Sequence, residues 1–526
     1  MFKKIIKNTS LTGSGTLICR FLGFIRDILI ASFFGTSPIL EAFLVAFRLP
    51  NLFRSVFGEG FADSIAVPIL SEHHKDKSKI FNVGSNLLFL FFIILSAITL
   101  LGVIFSKYLV IAIAPGFLSQ TYKFNLAVSF TRITFFYLLL IGISVNINAI
   151  LQSLKSFFVP ALTPAFLNAS FIIGILFFSR FFENYILVVS VIVAGILQII
   201  FPFIFLKKQG FVFRVNFKGL FKDKDIIEML RLFPARVWSS VIYHLSVVLD
   251  TILCSLTSIV GQGAISSIYY ANRLIQFPFA LIALSISRVI IVDLSSCHKE
   301  KDISKFKKLF VFSFQNIVFF IIPIVSIFLF IPSGIIDVVF RRGAFTDTSW
   351  FLTSGALFFY AFGLFFFCLI KLLVSAFYAL KDTATAAKTT AICLLLNVGL
   401  SVLFMFPLKV GGVALGSSIA AGCNVFLLYH ALIKKIGVII WEDTKAQFIK
   451  VISLSIVSGI FSRFLWQSLE LSKYIKICVV VGVFVAIFIG IGSFIGIKQL
   501  EYVKRMILER VTRNQSTETR EERKKE

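Results

Sequence analysis

The sequence predicts an all-α polytopic membrane protein of about fourteen transmembrane helices, built as two parallel six-helix repeats (lobes) followed by two C-terminal helices. Three observations predict it. Hydrophobic residues make up 58% of the 526-residue chain and charged residues only 15%, more apolar surface than one water-soluble core of this length could bury. Apolar runs of roughly 20 residues recur from end to end, the length a helix needs to cross a hydrocarbon layer about 30 Å thick. Sequence signatures in the first half also return in the second at a nearly constant offset, as duplicated transporter bundles require.

The expected spans lie near residues 10–34, 39–66, 84–106, 126–152, 160–179, 185–206, 228–257, 263–296, 309–331, 351–380, 388–407, 411–433, 447–468 and 475–497. Residues 1–206 then form an N-lobe of helices 1–6 and 207–227 a cytoplasmic linker between lobes. Residues 228–433 form a C-lobe of helices 7–12, 434–497 carry helices 13 and 14, and 498–526 are a charged cytoplasmic tail. The linker is basic and contains Phe, so it is expected to lie at the membrane interface. The first apolar run is broken by Arg20 and no small-residue cleavage site follows it, so the first helix is expected to stay rather than be removed as a signal peptide.

Three pairs carry the repeat. Asp27-Ile-Leu-Ile-Ala-Ser resembles Asp250-Thr-Ile-Leu-Cys-Ser, Ala46-Phe-Arg-Leu aligns with Ala271-Asn-Arg-Leu, and Ser153-Leu-Lys-Ser aligns with Ala379-Leu-Lys-Asp. Their offsets drift by only about three residues. Each half holds an even number of spans, so the repeats are parallel, related by an axis along the membrane normal.

A net charge of +26 would suggest a nucleic-acid partner in a soluble protein, but here it sits in loops and tails. Taking alternate loops, one set holds Lys3, Lys4, Lys7, Lys75, Lys77, Lys79, Lys155, Lys207, Lys208, Lys299, Lys301, Lys381, Lys434 and Lys435. Basic loops stay in the cytoplasm, so both termini are expected there, and no folded basic domain remains to bind nucleic acid. The seven cysteines form no CxxC pair and read as small membrane-core residues, neither a disulfide framework nor a zinc site. His73, His74, His298 and His430 fall in loops or at span ends and read as solvated, while His244 falls inside a span. GxxxxGK[ST], HExxH and GxSxG are absent, so the sequence points to a transporter without its own ATPase, driven by an ion gradient, the membrane potential or the substrate gradient.

Charges inside spans need a reason, because each costs roughly 2.5–3.5 kcal/mol near the bilayer centre. They concentrate in the first two helices of each repeat: Arg20, Arg26 and Asp27; Glu41, Arg48, Arg54 and Glu59; Arg236 and Asp250; and Arg273. The expectation is a central charged cavity. Seven-residue spacing puts Arg20 with Asp27 and Glu41 with Arg48 on one helix face, as pairs that could neutralise each other. Arg26, Arg54 and Arg273 have no such acidic partner at helical spacing, and a cluster of guanidinium groups suits phosphate. Pro50 and Pro278 interrupt spans, which fits a packing kink and a gating hinge equally. Gly412-Val-Ala-Leu-Gly416 reads as a close helix contact.

The stretches Arg20-Phe-Leu-Gly-Phe-Ile-Arg26-Asp27, Glu41-Ala-Phe-Leu-Val-Ala-Phe-Arg48-Leu-Pro-Asn-Leu-Phe-Arg54 and Gly58-Glu-Gly60 resemble the MurJ (MviN) lipid II flippases. The resemblance continues through Ala114-Pro-Gly-Phe117, Tyr269-Tyr-Ala-Asn-Arg273-Leu-Ile-Gln-Phe-Pro278 and Phe377-Tyr-Ala-Leu-Lys-Asp382, and so spans essentially the whole chain apart from the tail. It implies the fourteen-helix fold of the multidrug/oligosaccharidyl-lipid/polysaccharide exporter superfamily, with a lipid-tail groove beside the last two helices. The family's cavity arginines fall on Arg20, Arg26, Arg54 and Arg273 and its neighbouring acid on Asp27, with Glu41 standing where many relatives have Asp. Cys19 stands where a Ser is common, and Asn272 where some members have Asp. Some members bind sodium in the second lobe; the matching positions are Asp250, Asn397, Ser401 and Ser417, with Ser401 in place of an acid.

The resemblance thus implies translocation of an undecaprenyl-diphosphate-linked peptidoglycan precursor from the inner to the outer leaflet of the bacterial cytoplasmic membrane. The implied partners are lipid II, membrane lipids and the cell-wall synthesis machinery; no cofactor is expected beyond a sodium ion or coupling to the membrane potential. The same superfamily offers an exporter of another lipid-linked oligosaccharide or a drug antiporter as the alternative, and a cationic cavity favours a diphosphate over a cationic drug. A polyprenyl-phosphate enzyme would need an acidic metal-binding motif or a nucleophile pair at a membrane face, which the sequence lacks. A scaffold would not account for intramembrane charges concentrated in four helices.

Overall fold

The computed structural model describes residues 2–73, 75–215 and 223–502. His74, part of the expected interfacial linker (216–222) and the tail from 503 onward lie outside the described residues, as do the side chains of Lys3, Lys4, Lys7, Glu59, Arg236 and His244. Among the described residues no β-strand occurs. Within a bilayer this is what backbone chemistry demands, since a helix satisfies every N–H and C=O inside its own segment.

The principal helices are α1 (Phe2–Phe34), α2 (Pro38–Ser55), α3 (Lys77–Ile104), α4 (Thr121–Ser153), α5 (Ala165–Ile173), α6 (Ile186–Lys208) and α7 (Lys224–Ser255). They continue as α8 (Ala264–Pro278), α9 (Ile303–Phe330), α10 (Asp347–Ala379), α11 (Thr383–Leu408), α12 (Val410–Ile436), α13 (Glu442–Ser468) and α14 (Lys473–Phe494). Among the described residues, 10 helical stretches are long and apolar enough to cross a membrane. The difference from the expected fourteen has three sources. The fifth and sixth expected spans lie in one 51-residue stretch, Phe158–Lys208. The first and second are not among the ten, and they carry Arg20, Arg26 and Asp27 and Glu41, Arg48 and Arg54, whose charges lower their apolar character. Of the seventh, side chains 235–244 lie outside the described residues, and the remainder, Leu245–Ser255, is apolar but short.

Several helices start where an aspartate precedes the apolar run. Asp76 accepts from the Lys79 amide (3.1 Å), Asp302 from Lys305 (2.8 Å) and Asp382 from Thr385 (3.1 Å), each meeting N–H groups the helix leaves unpaired. Asp382 is also held by the Lys435 ammonium at 2.8 Å and the Thr385 hydroxyl at 2.6 Å. These bonds, Lys435 first, push its carboxyl down to about 2. Its contribution to stability is therefore complete above the ordinary carboxylate range and lost only as pH falls through that value.

The repeat anchors Ser153-Leu-Lys-Ser and Ala379-Leu-Lys-Asp form the same turn. Lys155 (φ 64°) and Lys381 (φ 59°) both adopt the left-handed conformation. In the first, the Lys155 and Ser156 amides donate to Gln152 and Leu151; in the second, Lys381 and Asp382 donate to Tyr378 and Phe377. That is the Schellman pattern closing α4 and α10, with lysine in the place usually held by glycine.

The chain divides into two compact units, Met1–Ser266 with Phe340–Ser349, and Ser267–Val339 with Trp350–Glu526. In the first, α2 runs into a π-helical stretch, Val56–Ala66, whose Phe57 and Phe61 pack on Phe91 of α3 and Phe233 of α7, with Phe61 and Phe91 centroids 4.6 Å apart. Helices α3 and α4 approach closely because Gly102 faces the Phe135 ring and Gly142 faces Leu95; a Cβ on either would come within 2.0 and 2.1 Å of them. At one end of this unit His73 Nε2 lies 2.9 Å and Lys79 Nζ 3.1 Å from Asp225 Oδ2, fastening the start of α3 to the start of α7. His73 is thus partly buried against a carboxylate rather than simply solvated, a partner too distant in sequence to read from it.

In the second unit α8 ends at Pro278 and a π-helical turn, Phe279–Ala283, begins at the next residue. Helices α9, α13 and α14 share a core of Phe319, Leu454, Phe484 and Phe488. Lys450 and Gln447 donate to the Ile495 and Gly496 carbonyls at the end of α14. The Gly412 and Gly416 motif faces α11: a Cβ would stand 2.1 Å from Phe404 O at Gly412 and 2.6 Å from the Ser401 amide nitrogen at Gly416. Backbone cannot yield as a side-chain tip can, so Gly416→Val is expected to destabilise by about 1–3 kcal/mol or more. Gly399→Val, at a glycine with open space beside it, is expected to cost far less. Melting curves of the two purified variants check the contrast.

Candidate functional site

Three local arrangements in the first unit hold residues expected at the site. On α1, Arg26 donates through Nε (3.0 Å) and Nη2 (2.7 Å) to one oxygen of Asp27, and through Nη1 (2.8 Å) to Asn168 Oδ1 on α5. Its guanidinium carbon lies 5.8 Å from the Phe171 ring centroid. The seven-residue pairing of Arg20 with Asp27 is therefore replaced by a pairing of sequence neighbours. Two helical turns separate residues seven apart by about 10.5 Å along the axis, whereas a long arginine arm can fold back on the next residue. Arg26, expected to lack an acidic partner, has one. Arg20, one and a half turns earlier, is half-buried and has no ion pair among the described residues.

At the start of α2, Glu41 is almost fully buried, and so is Lys123, which donates to its Oε2. The other oxygen, Oε1, accepts from the Ile265 amide (2.8 Å) in the first turn of α8. A carboxylate at a helix N-terminus meets both an orphan N–H and the positive end of the dipole. The expected Glu41–Arg48 pair is thus replaced, because Lys123 and α8 supply closer partners. The Ala114-Pro-Gly-Phe117 turn belongs to the same neighbourhood: Lys123 lies 4.1 Å from the Phe117 ring centroid, and the Gly116 amide donates to Ser255 Oγ (3.2 Å). A Cβ on Gly116 would come within 1.9 Å of Ser255 O, so glycine is required there.

Near the end of α2, Arg54 Nε donates to Asn51 Oδ1 (3.0 Å), one turn back, so a neutral amide orients it without cancelling its charge. In the second unit Arg273 is oriented on α8 by its own helix: its guanidinium lies 4.8 Å from the Tyr269 ring centroid, with Tyr269 Oη and Gln276 Oε1 each at 3.4 Å. In that unit too, the Ser401 and Ser417 hydroxyls both donate to Asn397 Oδ1 at 3.1 Å, bringing three neutral oxygens together. Asp250, on α7, belongs to the first unit. Hard oxygen donors of this kind suit sodium, although the trio itself carries no charge.

Sequence reasoning named the arginines as candidates and missed their neighbours. Asn168 left one signal, a polar amide inside an apolar span. Lys123 left none, since it falls just before an expected span and its partner is 82 residues away.

A multi-pass helical bundle with oriented cationic groups on its charge-bearing helices is the architecture of a membrane transporter. The fold agrees with that of a multidrug resistance MATE family transporter of the MOP superfamily (TM-score 0.66, 15% identity, covering 81% of this chain and 97% of that one). A more similar solved structure is described as lipid II flippase MurJ in an inward closed conformation (TM-score 0.76, 26% identity, covering 92% of this chain and 99% of that one). The family described as lipid II flippase MurJ matches residues 30–485. A probable lipid II flippase MurJ of Buchnera aphidicola subsp. Schizaphis graminum is 32% identical over 512 residues, 95% of this chain and 98% of its own. A lipid II flippase MurJ of Burkholderia cenocepacia is 32% identical over 438 residues, 81% of this chain and 83% of its own. The chain belongs to the MurJ family and is a multi-pass bacterial membrane protein.

Proposed function

We propose that the protein flips lipid II, the undecaprenyl-diphosphate-linked peptidoglycan precursor, from the cytoplasmic to the outer leaflet of the cytoplasmic membrane by alternating access. The observation that carries this reading is family membership along residues 30–485, joined to arginines that neighbouring side chains hold in place. Arg20, Arg26, Arg54 and Arg273 receive the diphosphate: a guanidinium fork meets phosphate oxygens with two parallel hydrogen bonds and keeps its charge at any cellular pH. Asp27 orients Arg26. Glu41 serves the site indirectly, by anchoring the first turn of α8, the helix that bears Arg273. The polyprenyl tail stays in lipid, so only the polar headgroup needs a protein-lined path. The protein acts as a transporter rather than an enzyme.

Sodium coupling is part of the same proposal. Asn397, Ser401 and Ser417 would hold the ion, and Asp250 is the acid that the resemblance names with them. Depleting the protein in its host tests the function: lipid II is expected to accumulate on the cytoplasmic face of the membrane, and unchanged lipid II distribution would contradict it. The basic loops also set an orientation with both termini in the cytoplasm. A reporter fused after Glu526 is expected to be cytoplasmic and one inserted beside Phe345 external; finding both on one side refutes that topology.

A further inference from the structure

We infer that Asn168 is a positioning residue for anion binding: from α5 it sets the guanidinium of Arg26 and the turn of α1 that bears Arg20. The inference rests on the reading of Arg26 as a diphosphate ligand. Asn168 is 8% exposed and uses both ends of its amide. Oδ1 accepts from Arg26 Nη1 at 2.8 Å, and Nδ2 donates to the Cys19 carbonyl at 2.9 Å. Arginine can only donate and a carbonyl can only accept, so the amide orientation is fixed by its partners. No other uncharged side chain of this size offers one acceptor and one donor in that geometry.

The same helix contributes a second contact one turn later. Phe171 is 2% exposed, faces the Arg26 guanidinium and is itself braced edge-on by Phe43 at 5.8 Å. Helix α5 is in turn fixed on α6, with the Phe166 and Phe201 centroids 4.8 Å apart. Asp27 and Asn168 together engage Nε, Nη1 and Nη2 of Arg26, so the fork is held from two helices and not only from its own. An amide is the right acceptor for this task. It orients the guanidinium without the second negative charge that would cancel its attraction for an anion. The bond to the Cys19 carbonyl, next to Arg20 in the chain, fixes the rotation of α1 about its axis, and with it the direction in which Arg20 projects.

A double-mutant cycle on the purified full-length protein tests this, read as equilibrium binding of lipid II in detergent. Arg26→Gln is expected to weaken binding strongly. Asn168→Leu, similar in size but without polar atoms, is expected to weaken it about tenfold, and the double variant to lose clearly less than the two single losses combined, because Asn168 acts mainly through Arg26, the remainder being its hold on the turn that bears Arg20. Additive losses, or parental binding by Asn168→Leu, overturn the inference. Asn168→Ser replaces it in the cycle if the leucine variant does not reach the membrane at the parental level. Parental binding by Arg26→Gln would instead refute the reading of Arg26 itself, a different failure with a different signature.

Discussion

Arg273→Ala is expected to abolish complementation of a flippase-depleted strain while the variant protein reaches the membrane at near-parental levels. Arg273 stands at the repeat position of Arg48, on the second charge-bearing helix of the second half. Tyr269 and Gln276 of its own helix help to orient the guanidinium. Under the proposed function this planar fork receives phosphate oxygens with two parallel hydrogen bonds, so its removal is expected to cost function. Arg273→Lys keeps the charge as a compact point but loses the planar fork and its stacking on Tyr269. It is therefore expected to retain partial function, measurable as slowed growth and weakened lipid II binding. If the alanine variant inserts normally and supports growth and binding like the parent, Arg273 does not contact cargo.

Lys123→Ala is expected to act on stability first. Glu41 and Lys123 are both buried almost completely, and removing one member of a buried pair leaves the other charge without compensation, typically at about 3–5 kcal/mol. The loss extends further, because a displaced Glu41 no longer accepts from the Ile265 amide and the first turn of α8 loses its cap. A lower melting temperature and reduced accumulation in the membrane are the expected results. Replacing both residues, as Glu41→Gln with Lys123→Met, removes both charges and leaves an amide oxygen for the cap, so it should recover part of the lost stability. Equal damage from the single and double variants would place the effect elsewhere.

The fold class was legible because lipid imposes a single periodic demand, an apolar stretch long enough to span, and most of the helices satisfy it without ambiguity. One of the three repeat anchors has a counterpart in local geometry, since Lys155 and Lys381 both close a helix in the left-handed conformation within similar local sequences. The charged helices were less so. Their hydropathy is diluted by the very residues that draw attention to them, which is why α1 and α2 are absent from the ten strongly apolar stretches. The candidate arginines could be named from chain position and from the family motifs, but their partners could not. Helical spacing restricts which residues share a face of one helix. It carries no information about Asn168, 142 residues from Arg26, or Lys123, 82 from Glu41. Such contacts arise only when helices pack, and the heptad pairs of Arg20 with Asp27 and Glu41 with Arg48 gave way to them.

The most direct test of the central claim is leaflet exchange in reconstituted vesicles. Purified full-length protein is inserted into liposomes containing lipid II labelled on its headgroup, and the fraction open to a membrane-impermeant quencher is followed over time. With the parent protein, label in the inner leaflet is expected to become accessible, and Arg26→Ala and Arg273→Ala vesicles are expected to behave like protein-free ones. Exchange at the parental rate by both alanine variants would contradict the arginine-held diphosphate, and no exchange by the parent under any imposed sodium gradient or potential would contradict the flippase itself.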